Sequence, residues 1–425
     1  MTVKYFNLNI EEKPFDGFVP MSQAIFQQDK QWQDEFEFPN GYGDNSPFYT
    51  FTEEECEVIV EDTENAYGLM YDATEYVMDL IKYHPDVVRE YFGQNLNQDF
   101  MDYARYTFMK GHEAIYGRFD LAFDWNTRLI KGVYELNGDT PTMLFESTCL
   151  QNMFATKAAG EEYQLNHWDE NMQYAAKKAF RPEDKVGIFV DTRSVTDTTT
   201  CEHIYNTLEE YCTPYLYDVH QLMFDENRYN GHRFSVDDID LDYIFILTPW
   251  EEMVESDPRI FKEWRDWCNQ TKFFEPAWRW FMSHKGLFSL IADVMEGNLG
   301  QYQLEKWREV YNNIFLPTYK ELPLKGKWVG KPANGRLSQN ICIFEEGKLV
   351  SSTEGYYEDA DFIYQEYCET PETERGCKAL LCMWMAPYVS EEDHTMEASV
   401  LTIREFDHKD VNDIFNERFV PHLVL

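Results

Sequence analysis

The chain has 425 residues, with 37 lysines and arginines against 77 aspartates and glutamates, a formal net charge of −40. That length implies two or three packed units, and 44% hydrophobic content excludes a disordered chain. A field this negative repels phosphate backbones and argues against nucleic-acid binding. It suits a cationic partner such as a polyamine or a basic protein, or is simply a solubilising acidic surface.

The nine cysteines contain no CxxC pair, and Cys377 and Cys382 lie too far apart for a zinc knuckle. They read as reduced thiols of a cytosolic protein. The ten histidines include no HExxH, so a histidine-based metal site is not expected. The start, "MTVKYFNLNIEEK", reads as neither signal nor transit peptide, and no apolar run reaches membrane-spanning length. A soluble, cytoplasmic protein with no membrane partner is the expectation.

Residues 20–120 read mainly as helix. In "TENAYGLMYDATEYVMDLIKYH", Ala66, Met70, Ala73, Val77 and Ile81 recur at helical spacing. "PDVVREYFG" and "DFMDYARYTFMKG" predict two further helices, each ending at a glycine. The period then changes to two in "IYGRFDLAFD" and "LIKGVYELN", a hairpin across "WNTR". A helix is expected around "NMQYAAKKAF". From about 182 to 250 strands such as "VGIFV" and "LDYIFIL" alternate with the helix "TCEHIYNTLEEYC", a small parallel α/β unit. "PAWRWFMSHKGLFSLIADVMEGN" reads as one long helix with proline at its start. Beyond about 325 the chain is β-rich: "GKWVGKPA", "ICIFEEGKLVS", "DFIYQEY", "LLCMWMAPYV" and "ASVLTIREF".

The hairpin gathers the first candidate site. A two-residue turn at Asn126-Thr127 would set Arg118 opposite Glu135, with Asp120 one diagonal step away and Asn137 on the same face. Two carboxylates about 5 Å apart repel by roughly 3 kcal/mol at an effective dielectric near 20, so a cation should compensate. Arg118 is one candidate and Mg²⁺, a hard ion suited to carboxylate and amide oxygens, is another. A plain surface salt bridge between Arg118 and Glu135 is the competing reading. After Asn137, "GDTPT" sets Thr140 and Thr142 around a proline turn that could face a ligand, as many turns without ligands do.

Further on, "VGKPANGRLSQN" ends a strand at Lys331 and enters a glycine loop, a phosphate-contacting pattern that is not a P-loop. "TIREF" sets Arg404 among apolar strand residues, where it needs a carboxylate or phosphoryl partner. "FIYQEYC" combines apolar residues with strand backbone that an adenine ring could use. Nothing in the chain reads as a Ser or Cys triad.

Together, "GRFDLAFD", "YELNGDTPT" with "FES", "LTPWEEM", "FFEPAWRWFMSHKGL", "GKPANGRLSQNI", "FIYQEY", "TIREF" and "RFVPHLV" resemble the synthetase part of glutathionylspermidine synthetases, in the ATP-grasp superfamily. The blocks run in family order from about residue 115, without the amidase domain of bifunctional relatives. The resemblance implies an α+β and α/β chain of ATP-grasp type in three parts. These are 1–181, helices plus the hairpin; 182–270, an inserted pre-ATP-grasp-like α/β unit; and 271–425, the ATP-binding part.

It also implies ATP-dependent amide formation through an acyl phosphate, on a glutathione-like peptide and a polyamine. Asp120, Glu135 and Asn137 would ligate two Mg²⁺ ions. Arg118 and Arg404 would serve the reacting carboxylate and acyl-phosphate step, and Lys331 the ATP phosphates. Gln365, Glu366 and Tyr367 would meet adenine, and Thr140 and Thr142 the acid. Two departures stand out: "EGYYEDADF" lacks a second phosphate-contacting lysine, with Lys348 the nearest, and Ser338 replaces a glycine in "GRLSQN". They leave open a non-catalytic nucleotide-binding or interaction protein as the alternative.

Overall fold

The computed structural model describes residues 4–6, 46–228, 231–300, 303–336, 338–373, 376–387, 396–406 and 417–425. The helical reading of residues 20–45 lies outside them. Among the described residues, no helix is long and apolar enough to cross a membrane.

The longest helix, Glu53–Tyr83, starts at a reciprocal cap. Thr52 Oγ1 accepts the Glu55 N–H at 3.2 Å while Glu55 Oε2 accepts the Thr52 N–H at 3.0 Å. Its apolar stripe, including Ala66, Met70, Ala73, Val77 and Ile81, is buried in the main core. Helices Pro85–Phe92 and Gln98–Met109 pack beside it.

Three larger sheets carry the rest of the chain. One is antiparallel, in the order Glu417–Val420, Met396–Phe406, Lys378–Pro387, Gly117–Asp124, Leu129–Asn137. The hairpin is therefore sewn to strands some 260 residues later in sequence, at Asp120 opposite Cys382. A second, parallel sheet runs Lys272–Phe274, Tyr243–Ile246, Lys185–Val190, Thr213–Asp218. The third is antiparallel, in the order Thr318–Tyr319, Phe362–Glu366, Lys327–Pro332, Cys342–Glu345, Lys348–Ser352. Its last two strands meet at Glu346-Gly347, where φ of 49° and 73° match a tight primed turn. The chain is thus a mixed α/β protein with both parallel and antiparallel sheets.

Two expectations change. The hairpin loop is four residues, Trp125 to Arg128, closed by the Arg128 N–H on the Asp124 carbonyl at 2.7 Å. Asp124 faces Leu129, but two register shifts follow, between Ala122/Phe123 and between Asp120/Leu121. As a result Arg118 faces Asn137, and it is Asp120 that faces Glu135. Because side chains alternate, two one-residue bulges restore the parity that one would destroy. All four polar residues still share a face.

The long helix read at "PAWRWFMSHKGLFSLIADVMEGN" is broken. Trp278–Ser283 and Gly286–Met295 are separate helices, with His284 extended between them. His284 Nδ1 accepts the Gly286 N–H at 3.1 Å. A Cβ on Gly286 would lie 2.0 Å from the Tyr91 carbonyl oxygen, so glycine is required for this approach. The break turns Lys285 out of the helical stripe.

The hairpin mouth is held by one buried ion pair. Arg279 NH2 donates to the Tyr116 carbonyl at 2.8 Å and Nε to the Gly138 carbonyl at 3.1 Å, the residues bracketing the two strands. Its Nε lies 3.3 Å from Glu275 Oε2, and Glu275 Oε1 accepts the N–H groups of Ile115 (2.8 Å) and Tyr116 (3.2 Å). Burial pushes the Glu275 carboxyl up, and Arg279 and these two N–H groups pull it back toward the charged form. Arg279→Leu strands that carboxyl and two carbonyls, so unfolding in urea should show a loss of about 3–5 kcal/mol.

Candidate functional site

The three sheets border a cleft of about 1410 Å³ that every residue singled out from the sequence lines: Arg118, Asp120, Glu135, Asn137, Thr140, Thr142, Lys331, Gln365, Glu366, Tyr367 and Arg404. That volume exceeds a pocket for one small molecule.

Asp120 sits between two guanidinium groups. Arg118 Nε reaches its Oδ1 at 2.8 Å, and Arg404 NH1 reaches its Oδ2 at 3.0 Å. Arg404 thus has the carboxylate partner its setting demanded. Arg118 NH1 also donates to the Thr142 carbonyl at 2.8 Å, tying the turn after the hairpin to the same face.

Glu135 is balanced by a residue that sequence reasoning left without a role. Lys285 Nζ lies 3.0 Å from Glu135 Oε2 and donates to the Gly335 carbonyl at 2.7 Å. Burial would raise the Glu135 carboxyl, yet Lys285 and Lys331 hold it at about 2. Asn137 Nδ2 donates to its other oxygen at 3.3 Å. Lys331 Nζ donates to Gln365 Oε1 at 2.7 Å and to the Tyr134 carbonyl at 3.3 Å. Burial and the nearby Lys285 lower the Lys331 ammonium to about 8, partly offset by Glu135.

A second charged knot was also missed. Arg336 joins Asp139 (3.0 Å) and Glu251 (3.3 Å) and donates to Thr140 Oγ1 at 2.8 Å. Burial disfavours the Arg336 cation, but Asp139 and Glu251 keep it charged. The knot links the turn after the hairpin, the "LTPWEEM" segment and the glycine loop. Arg336, Asp139, Glu251 and Lys285 all stand inside family-like blocks, the only signal that could have singled them out. In the same loop Ser338 adopts φ +53°, the left-handed conformation at which glycine is at home.

The edge read as open to adenine is partly closed. The strand Phe362–Glu366 is paired on both sides. The Glu366 and Tyr367 N–H groups donate to the carbonyls of Pro317 (2.8 Å) and Lys327 (3.0 Å). Any ring seated here must use side chains and carbonyl groups.

Asp120, Glu135 and Asn137 place two carboxylates and an amide on one face, donors suited to a hard cation that also takes oxygens from a phosphate. Among the described residues, no three His, Cys, Asp or Glu side chains converge as an all-protein metal cage would require. The donor chemistry therefore fits Mg²⁺ shared with a ligand.

The position of Lys331 predicts a pH dependence. Its pKa falls from 10.5 to about 8, so the cation is present below that value and lost above it. Affinity for tripolyphosphate, measured by calorimetry, should fall by up to about tenfold per pH unit above 8. Lys331→Arg should flatten that limb.

Comparison with known proteins gives the chain a family. A Haemophilus influenzae protein named "Putative acid–amine ligase" is 24% identical over 293 residues, 64% of this chain and 67% of its own. The sequence profile of the family described as glutathionylspermidine synthase preATP-grasp matches residues 20–425. With the match spanning nearly the whole chain, the protein belongs to that family.

Proposed function

We propose that the protein is an ATP-dependent ligase that joins a carboxylic acid to an amine, on an ATP-grasp-type scaffold. The observation that carries this is the local enrichment of positive charge. Across the chain acids outnumber bases 77 to 37, whereas the cleft is lined by seven lysines and arginines and eight acids. Buried cations brought this close repel one another, as Lys285 does Lys331, and a bound polyanion relieves that cost.

Lys285 and Lys331 would bind the nucleotide phosphates, with Gln365 orienting Lys331. Arg118 and Arg404 would hold the reacting carboxylate and the charge developed on it, leaving Thr140 and Thr142 to line the acid's path. Asp120, Glu135 and Asn137 would hold Mg²⁺, which neutralises phosphate charge when bound. A carboxylate oxygen attacks the γ-phosphorus, ADP departs, and the amine displaces phosphate from the acyl phosphate. Such transfer needs positioning and charge neutralisation rather than a protein nucleophile. Asp197, Glu252 and Asp257 line the cleft near the parallel sheet and suit a cationic amine such as a polyamine. A glutathione-like peptide is the acid we favour on family grounds.

Lys285 would supply the second cleft amine whose absence from "EGYYEDADF" left a non-catalytic protein open. The test is ADP and phosphate release with Mg²⁺, ATP and panels of peptide acids and polyamines. Amine-dependent release is expected, with Lys285→Ala and Asp120→Asn each lowering kcat/KM by roughly a hundredfold or more. Intact nucleotide binding with no release on any pair would refute the ligase reading.

A further inference from the structure

Outside the charged face of the cleft, three helices bring together a cysteine, a histidine and an aspartate. Cys149 lies in the π-helical turn Glu146–Leu150, His203 in Val195–Leu208, and Asp169 in the first turn of Trp168–Ala179. Cys149 Sγ is 3.4 Å from His203 Nδ1, and Asp169 Oδ1 is 2.8 Å from His203 Nε2. The ring is buried, with the Trp168 ring centroid 5.4 Å away. Cys149 and the Asp169 side chain remain partly exposed.

Hydrogen bonding decides the imidazole tautomer. The Thr148 hydroxyl donates to the Leu144 carbonyl at 2.8 Å, so toward His203 Nε2, 3.1 Å away, its oxygen can only accept. Nε2 therefore carries the hydrogen, and the Nδ1 lone pair points at the thiol. The sulfur and the carboxylate occupy opposite edges of the ring, so they cannot close on one metal ion. They are arranged instead as nucleophile and base, with Thr148 taking the Nε2 hydrogen and the Asp169 carboxylate beside it as an ionic neighbour. Burial would lower the His203 pKa, but the Cys149 sulfur and the Asp169 carboxylate raise it, stabilising the imidazolium that forms once Nδ1 has taken the thiol proton.

All nine cysteines are free, and six are buried. The other two that are partly exposed, Cys342 and Cys368, have thiols that burial pushes up. Among these three, Cys149 is the one with an imidazole nitrogen at 3.4 Å to take its proton as the sulfur attacks.

We propose that Cys149, His203 and Asp169 form a nucleophilic thiol site that reacts with small-molecule disulfides. The Cys149 thiol passes its proton to His203 Nδ1, and the sulfur attacks one sulfur of R–S–S–R. The Cys149–S–S–R bond forms as the R–S⁻ thiolate leaves and is protonated. Cys149 is oxidised and the disulfide is the electron acceptor. Glu146, one helical turn from Cys149, lines the cleft. A mixed disulfide would therefore load the helix beside the ligase site.

The full chain is mixed with substoichiometric dithiodipyridine at pH 7, reading thiopyridone release and mapping the labelled peptide. A first equivalent at Cys149, at least about tenfold faster than at Cys342 or Cys368, is expected. Cys149→Ser should abolish this phase and His203→Gln should slow it to the rate of the other thiols. Asp169→Asn, a milder change, should slow it severalfold with an unchanged thermal midpoint, and it decides the matter if His203→Gln does not fold. A fast phase that survives Cys149→Ser, is untouched by Asp169→Asn, or never appears overturns the proposal. No nucleotide enters the assay, so its failure leaves the ligase reading standing.

Discussion

The buried Glu275–Arg279 pair is the constraint on which the cleft depends. A guanidinium and a carboxylate removed from water are costly unless every polar edge finds a partner. Here the partners are backbone groups at both ends of the hairpin. The pair therefore converts a desolvation penalty into a geometric specification, holding the start of one strand and the end of the other at the hairpin mouth. Gly117 and Gly138 leave room for it, since a Cβ on Gly117 would come within 2.4 Å of the guanidinium. The same helix then breaks at His284, and Lys285 is delivered to Glu135. One ion pair thus positions both the acidic face and one of its cations.

Charge balance organises the cleft in layers. Each carboxylate has cationic company from a distant segment: Asp120 from Arg404, with Arg118 beside it on its own strand, Glu135 from Lys285, and Asp139, just past the hairpin, from Arg336. Such pairs hold the site together, but they also leave cations beside carboxylates that a metal–phosphate ligand could regroup. Phosphate oxygens can take over the lysines while a divalent ion takes over the carboxylates, with the net charge of the site little altered. The depressed pKa of Lys331 fits this arrangement, because an ammonium crowded by another lysine gains most from an added anion.

Some of this was legible in one dimension. The stripe of Ala66, Met70, Ala73, Val77 and Ile81 follows from helical spacing, and it is buried because only that face can leave water. The common face of Arg118, Asp120, Glu135 and Asn137 follows from strand alternation, although the assumed pairing was wrong. It survived because two bulges cancelled, which no local signal announces. The helix break at His284 was invisible for a different reason. "WRWFMSHKGLFSL" has good helical periodicity, and the break falls where the Tyr91 carbonyl, brought in by another helix, closes on Gly286.

The sequence by itself determined the polarity of the hairpin face, the acidic surface around it and the family to which the ordered blocks belong. These are properties of residue type, spacing and order. Tertiary structure alone decided which cation meets which carboxylate, because Lys285, Arg336 and Arg404 come from segments far from the hairpin in sequence. It also decided that Cys149, His203 and Asp169 should meet. Their separations carry no periodic signature, and a thiol acquires a base only when two helices pack close enough to bring Sγ and Nδ1 together.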